Sequence, residues 1–289
     1  MTTGPAFTII QSVLHPTDFS ESSQVAFYHA LKAAMLSKSK LTLLHVPTNE
    51  TSEWSQFPGV RETLERWGAL PKGSPKAAVG KLGIEACKVM AHKGEPVDAI
   101  VSYLEHKPTD LIVLSTSKRD GRIPWLGKSV AEPVTRKAGE MTLLIPGDVK
   151  GFVSRTDGSV SLKQILIPIA RTPRPEPALS AAVGLVQKWN CPEGTFVLLH
   201  VGNSNTMPAL RLPEVPGWTW KKELRTGEVI EGIINSAKEN KADLIVLATD
   251  GRNGFLDALR GSHSERILRY GVAPLLTIPV GSRVSRFLS

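Results

Sequence analysis

The sequence predicts an α/β protein with two tandem domains, each a doubly wound, parallel, five-stranded sheet. An internal repeat carries this prediction, since TDLIVLST at residues 109–116 aligns with ADLIVLAT at residues 242–249. The alignment extends without gaps from residues 94–146 onto residues 227–279. Short, continuous apolar segments alternate with amphipathic ones, which is typical of a parallel sheet covered by helices on both faces. A length of 289 residues is sufficient for two such domains.

In the first copy, the elements follow in the order expected for such a sheet. Apolar runs of strand length predict strands at residues 12–16, 41–46, 84–91, 110–116 and 141–146. Amphipathic segments predict helices at about residues 20–37, 96–107 and 129–137. We expect a further helix in the polar stretch before Gly80. Each helix then connects two parallel strands.

The second copy is shorter than the first. Pro16 aligns with Pro168, and LLHV at residues 43–46 aligns with LLHV at residues 198–201. Between this strand and Gly227 the second copy has too few residues for the first copy's connection, so we expect it to lack one helix. Residues 147–161 are rich in Gly, Ser and Asp and lack apolar periodicity, so they are the predicted joint between domains at 1–150 and 161–285.

Composition excludes several classes of protein. The chain has neither an apolar segment long enough to span a membrane nor a signal-peptide pattern at its start, so we expect a cytoplasmic protein without membrane partners. The two cysteines, Cys87 and Cys191, belong to no metal-spaced cluster. His45 and His200 recur at the same strand end without a second ligand in their motif, so we predict structural roles and no metal.

The charge balance leaves a weaker possibility open. There are 35 basic and 27 acidic residues, giving a net charge of +8, which would suit a polyanion. No Lys/Arg run with interleaved aromatic residues is present, so a solvated basic surface is the simpler interpretation and nucleic acid is not the expected partner.

Catalytic motifs are absent from the sequence. It has no GxSxG elbow, no Walker GxxxxGK[ST], no HExxH and no paired-carboxylate motif. The HxGH and SGGxDS motifs of adenylating α/β enzymes are missing too. A dedicated enzyme is therefore not expected, and at most a weak ATPase activity remains open.

A glycine-containing loop follows the fourth strand of the second copy. Ala248 and Gly251 are followed by nine residues and then by Gly261 and Ser262. Such a loop can wrap a polyphosphate, because glycine permits close approach and a helix N-terminus favours anions. The spacing from Ser262 to Glu265 is also that of a capping box, which explains both residues equally well.

Each half resembles a universal stress protein domain. Nucleotide-binding members of that family carry GxxG, nine residues, then G followed by Ser or Thr, and the second copy matches as AxxG-x9-GS. The first copy resembles the family at HPTDFSESSQVAFYHALKAA. The resemblance implies a tandem universal stress protein acting in stress response, with the Rossmann-like fold of the adenine-nucleotide alpha hydrolases.

The resemblance also implies an ATP site, and the two copies depart from it differently. The first copy retains Asp18 but has Lys118 and Lys128 at glycine positions, with Ser115 at the first glycine. The second retains most of the loop but has Ala170 in place of Asp18. We therefore expect ATP, with Mg²⁺ only if ATP is bound, in the second domain. The residues implied there are Pro168, Ile169, Val201, Ala248, Gly251, Arg252, Gly261, Ser262 and His263, with Arg260 as a further charge partner and with Asp18, Val46 and Ser129 as weaker candidates in the first domain.

Two hypotheses on the first cleft and on assembly complete the sequence-based expectations. Lys118 or Lys128 would pair with Asp18 and fill the first cleft, or both would point to water. By resemblance, the last strands at residues 141–146 and 274–279 would join the domains into an intrachain pseudo-dimer, and two chains could form a homodimer. The alternative function is that of a nucleotide-free interaction or scaffold protein with vestigial sites.

Overall fold

A computed structural model describes residues 10–47, 54–92, 94–116, 140–249 and 272–280 of the chain. The elements of the first half are β1 (Ser12–Thr17), α1 (Glu21–Ser37), β2 (Lys40–His45), a 3₁₀ turn (Trp54–Gln56), α2 (Val60–Arg66), α3 (Ala78–Lys81), β3 (Glu85–Met90), α4 (Pro96–His106), β4 (Leu111–Thr116) and β5 (Met141–Pro146). Those of the second half are β6 (Gln164–Pro168), α5 (Glu176–Lys188), β7 (Gly194–Val201), β8 (Trp218–Arg225), α6 (Val229–Glu239), β9 (Leu244–Thr249) and β10 (Leu275–Pro279). The predicted helix at residues 129–137 lies outside the described residues.

The strands form one ten-stranded sheet in the order β3-β2-β1-β4-β5-β10-β9-β6-β7-β8. Within each half, all neighbouring strands are parallel. The halves meet where β5 and β10 pair antiparallel, with Leu144 opposite Leu275 and Thr142 opposite Thr277. The predicted α/β architecture of two doubly wound parallel sheets is confirmed, and so is the shorter second copy, since residues 202–217 contain no helix.

Helices cover both faces of this sheet. Helices α1 and α5 lie on one face, where a large apolar cluster runs through both halves and includes Phe27 and Val183. Helices α4 and α6 lie on the other face, over a second cluster that includes Ile100 and Ile233. Both faces of the central strands are therefore buried, which explains why these strands read as continuous apolar runs in the sequence.

The joint between the halves is a packed segment rather than a polar linker. Phe152 and Val153 are buried, and Val153 forms an antiparallel bridge with Val160. The ring of Phe152 meets His29 of α1 edge-on at 4.6 Å and lies 5.5 Å from the ring of Trp189. Two apolar residues inside a polar run thus anchor the joint to helices of both halves.

Candidate functional site

The candidate clefts lie where the strand order reverses, between β1 and β4 in the first half and between β6 and β9 in the second. Ligands of open α/β sheets bind outside the carboxyl ends of the strands at such points. Asp18 follows β1 and Val46 follows β2, while Ser115 is the second-last residue of β4. The parallel pairing brings these three positions to one edge of the sheet.

The second half repeats this arrangement. Pro168 ends β6 and Ile169 follows it, Val201 ends β7, and Ala248 is the second-last residue of β9. The remaining predicted site residues lie outside the described part of the chain; they are Gly251, Arg252, Arg260, Gly261, Ser262 and His263 of the second copy and Lys118, Lys128 and Ser129 of the first. The proposed Lys–Asp18 pair therefore stays a prediction.

In the first cleft, an aromatic ring covers the ends of β1 and β2. Phe19 stacks on His45 with ring centroids 3.9 Å apart and an interplanar angle of 15°. Trp54 meets the same phenylalanine ring edge-on at 5.0 Å, and Phe57 lies 5.5 Å from it. A flat, apolar group thus already occupies this part of the cleft.

The backbone of Phe19 is strained to reach this position. Its φ is 63°, in the left-handed region that a bulky side chain rarely adopts. Such a conformation costs about 1–2 kcal/mol. The amide of Phe19 donates to the Thr17 hydroxyl at 3.1 Å, which helps to hold the turn. Stacking and burial of the ring offset the strain.

The carboxylate of Asp18 is engaged in the start of α1. Its Oδ1 accepts the backbone N–H of Ser20 at 3.0 Å and the Ser20 hydroxyl at 2.6 Å. The Ser20 side chain in turn accepts from the amide of Ser23 as the N-cap of the helix. Asp18 itself is exposed and braces the residue that caps α1, while its ligand contact stays a prediction.

His45 and His200 perform the same structural task in the two halves. Nδ1 of His45 donates to the Thr17 carbonyl at 2.7 Å, and Nδ1 of His200 donates to the Ile169 carbonyl at 3.0 Å. His45 thereby ties the end of β2 to Thr17, which ends β1. His200 ties the end of β7 to Ile169, which follows β6. The predicted structural role of both is confirmed.

The two histidines differ at their second nitrogen. Nε2 of His200 bonds the Thr206 hydroxyl at 2.9 Å. Nε2 of His45 is buried and has no hydrogen-bond partner among the residues that the structure describes. The first cleft thus holds a polar atom beneath an aromatic lid, whereas the second uses the same atom to fix a loop.

In the second cleft, Ala170 and Arg171 replace Asp18 and Phe19, and both are exposed. Arg171 Nη2 donates to the Asn205 carbonyl at 2.6 Å. Within the described part of the chain, no aromatic ring stacks on His200, in contrast to His45. This end of the second cleft is therefore not covered by a ring from the described residues.

Asp110 and Asp243 lie at the opposite edge of the sheet, where the strands begin. Oδ2 of Asp110 accepts the amides of Gln11 and Ser12 at 2.8 and 2.9 Å. Oδ2 of Asp243 accepts two amides, of residues 163 and 164, at the same two distances. Both carboxylates thus fasten the start of a neighbouring strand.

Trp218, Trp220 and Cys191 have structural explanations. Trp218 and Trp220 pack on the ring of Phe196 at 4.5 and 4.3 Å. Burial raises the pKa of the Cys191 thiol to about 11, which makes it a poor nucleophile.

Among the described residues, no group of three or more His, Cys, Asp or Glu side chains could hold a metal ion. The helices of the described residues are all too short or too polar to span a membrane.

Sequence reasoning did not single out Phe19, Trp54 or Arg171. Their roles depend on side chains that meet across different loops, for which no local pattern exists. The one available signal was the replacement of Asp18-Phe19 by Ala170-Arg171 at aligned positions, because a change of charge at a strand end is visible in the repeat.

A family model described as the universal stress protein family matches residues 10–146 and 209–279, which make up most of the chain. No curated protein matches the sequence significantly.

Solved structures share the fold across nearly the whole chain. A universal stress protein from Archaeoglobus fulgidus DSM 4304 is 19% identical, with 93% of this chain and 96% of that chain covered and a TM-score of 0.60. A protein of unknown function from Pseudomonas aeruginosa PAO1 is 14% identical, with 96% of each chain covered and a TM-score of 0.60. The cytoplasmic domain of a prokaryotic cation chloride cotransporter is 14% identical, with 97% of this chain and 100% of that one covered and a TM-score of 0.55. At these identities the similarity shows the fold, and proteins of different kinds share it.

Proposed function

The chain belongs to the universal stress protein family, and we propose that it is a cytoplasmic stress-response protein whose second domain, residues 161–285, binds an adenine nucleotide. ATP is the ligand to test first, with Mg²⁺ only as the companion of bound ATP. The first domain, residues 1–150, does not take the nucleotide in this proposal. Turnover is absent or limited to slow ATP hydrolysis, because the sequence carries no catalytic motif.

One observation carries the proposal: Phe19 covers one end of the first cleft, and no ring among the described residues covers the second cleft in this way. The stacking distance of 3.9 Å between Phe19 and His45 leaves no room for an adenine ring between them. A nucleotide in the first cleft would have to displace Phe19 from His45, Trp54 and Phe57 before it gained any contact. That displacement lowers the affinity of the first cleft, since binding energy is reduced by the cost of the rearrangement.

The second cleft lacks the family aspartate, which weakens it without closing it. Ala170 supplies no acceptor for a ribose hydroxyl, and a lost hydrogen bond to a charged group costs about 1.5–3 kcal/mol. The glycine loop predicted from Ala248, Gly251 and Gly261 retains the phosphate end of the site. Support for the second domain therefore combines a base end that no ring of the described residues covers with a nearly complete loop.

The same proposal includes an intrachain pseudo-dimer. The antiparallel pairing of β5 with β10 supports it, because each strand is the last of its half and both halves then share one sheet. A homodimer of the whole chain is the further assembly that we propose to test by solution size measurement.

The function is tested by titrating ATP into the purified full chain by calorimetry, using a matched pair of loop variants. Gly261→Trp places a large side chain in the second loop, and Lys128→Trp places the same side chain at the aligned position of the first. We expect saturable binding by the wild type and by Lys128→Trp, and loss of binding in Gly261→Trp.

Other outcomes would contradict the proposal in distinct ways. Loss of binding in Lys128→Trp alone would place the nucleotide in the first domain. No binding by the wild type, and no nucleotide extracted from the freshly purified protein, would favour the nucleotide-free scaffold.

A further inference from the structure

The two clefts differ by two units of charge at the pair of residues that follows the first strand of each half. The first strand of the first half is followed by Asp18 and Phe19, and that of the second half by Ala170 and Arg171. A carboxylate is replaced by a methyl group, and an apolar ring is replaced by a guanidinium. The chemistry that can be recognised at this end of the second cleft is therefore different from that of the first.

Arg171 lies across the carboxyl ends of β6 and β7. Its Nη2 donates to the Asn205 carbonyl at 2.6 Å, which joins the segment after β6 to the loop after β7. In the first half the aligned side chain, Phe19, likewise reaches from the end of β1 to His45 at the end of β2. Position 171 thus directs its side chain over the same pair of strand ends, where the sugar and base of the proposed nucleotide would lie.

The loop that receives Arg171 is well braced. The side-chain oxygen of Asn203 accepts the amides of Asn205 and Thr206 at 3.0 and 3.1 Å. The hydroxyl of Thr206 bonds Nε2 of the buried His200. The carbonyl that holds the guanidinium is therefore positioned by a network rooted in β7, and Arg171 is held in place before any ligand arrives.

The guanidinium retains binding capacity in this position. Contacts within the described part of the chain use one of its five N–H donors, for the Asn205 carbonyl. Among the described residues, no carboxylate lies within ion-pair distance of Arg171. A planar guanidinium with free donors matches phosphate oxygens better than a ribose hydroxyl, and it cannot accept a hydrogen bond from that hydroxyl.

In dinucleotide-binding α/β folds, an acidic residue accepts a hydrogen bond from the ribose 2′-hydroxyl, whereas a nearby arginine accommodates a 2′-phosphate. The exchange of Asp18-Phe19 for Ala170-Arg171 makes the same chemical change. We propose that the ligand of the second domain carries a phosphate monoester on its ribose, at the 2′ or 3′ position, and that Arg171 binds this phosphate. This inference rests on the proposed nucleotide function of the same domain.

The test compares 5′-AMP with two ligands that each carry one additional phosphate, adenosine 2′,5′-bisphosphate and adenosine 3′,5′-bisphosphate. Each is titrated into the full-length wild type by calorimetry at fixed ionic strength. We expect at least one bisphosphate to bind about tenfold to hundredfold more tightly than 5′-AMP, the range that one charge-assisted contact supplies. The bisphosphate that gains shows which ribose position Arg171 reads.

Three variants at exposed arginines show whether Arg171 is responsible for the preference for the bisphosphate. Arg171→Ala should remove the preference for the bisphosphate and change the affinity for 5′-AMP by less than about twofold. Arg171→Lys should restore part of the preference, because it keeps the charge and loses the planar fork. Arg174→Ala, at another exposed arginine three residues further on, should keep the full preference.

Equal affinity of the wild type for all three ligands would overturn this inference and leave the proposed function standing. A preference that survives Arg171→Ala, or a loss of affinity for all three ligands in that variant, would overturn it as well. Failure of the wild type to bind ATP or any of the three ligands would overturn both proposals.

Discussion

His29 makes the packing of the joint dependent on pH. Its Nδ1 donates to the Val25 carbonyl at 2.8 Å, and its Nε2 accepts the amides of Phe152 and Val153 at 3.0 and 3.2 Å. Both amides are donors, so Nε2 must present a lone pair and the ring must be neutral. Burial lowers the pKa of His29 from 6.5 to about 4, which keeps it neutral near pH 7.

The size of the effect follows from the two pKa values. Between about pH 6.5 and pH 4 the unfolded chain binds a proton at this histidine and the folded chain does not. The contribution of His29 to stability is therefore complete above pH 6.5 and decreases as the pH falls. At pH 5 the free energy of unfolding should be lower by about 2 kcal/mol through this residue.

Urea unfolding of the wild type and of His29→Gln, each measured at pH 7.5 and pH 5, isolates this contribution. His15 is buried and has a pKa also lowered to about 4, but it is present in both proteins and cancels in the difference. We expect the wild type to lose about 2 kcal/mol more than the variant over this pH interval. Equal losses in the two proteins would refute the assignment of a neutral, proton-accepting His29.

Two further predictions use pairs of matched substitutions. Gly151 and Gly68 have nearly the same positive φ, 69° and 70°, but a Cβ at Gly151 would overlap the His29 ring and one at Gly68 meets nothing within 4 Å. In thermal unfolding we expect Gly151→Ala to lower the free energy of unfolding by about 1–3 kcal/mol more than Gly68→Ala does. Equal losses in the two variants would contradict the close approach of Gly151 to His29. The side chain of Glu228 caps α6 by accepting two backbone amides, whereas that of Glu95, at the N-cap of α4, accepts no capping hydrogen bond. Glu228→Ala should lower the free energy of unfolding by about 1 kcal/mol, and Glu95→Ala should leave it almost unchanged. The reverse order would exclude the cap at Glu228.

The repeat made the architecture predictable from the sequence. Strand β4 lies within one residue of its predicted start and end, and β9 occupies the aligned positions of the repeat, because a strand buried on both faces requires an uninterrupted apolar run. The connection from residue 54 to residue 81 was harder to assign. It contains a 3₁₀ turn and two short helices whose positions are set by the packing of Trp54, Phe57 and Trp67 rather than by local periodicity.

The contents of the candidate clefts could be predicted only in part. The family resemblance pointed to Asp18, Val46 and their counterparts, and the parallel topology accounts for their place at the carboxyl edge of the sheet. The covering of the first cleft could not be predicted, because it depends on a left-handed φ at Phe19 and on a ring that meets His45 across 25 intervening residues. Nor does the composition of the joint reveal that Phe152 would bond to one half and pack on the other.

The divergence of the two clefts follows from their covalent linkage. In a dimer of identical domains, every substitution occurs in both copies, so a ring that closes one cleft closes the other. In this chain Phe19 and Arg171 occupy aligned positions independently. The first half can therefore gain packing from Phe19 at one end of its cleft, while β5 and β10 join the two halves in one sheet and an apolar cluster extends through both. The second half is then free to keep an exposed, charged residue at the same strand end, where a packed core would exclude it.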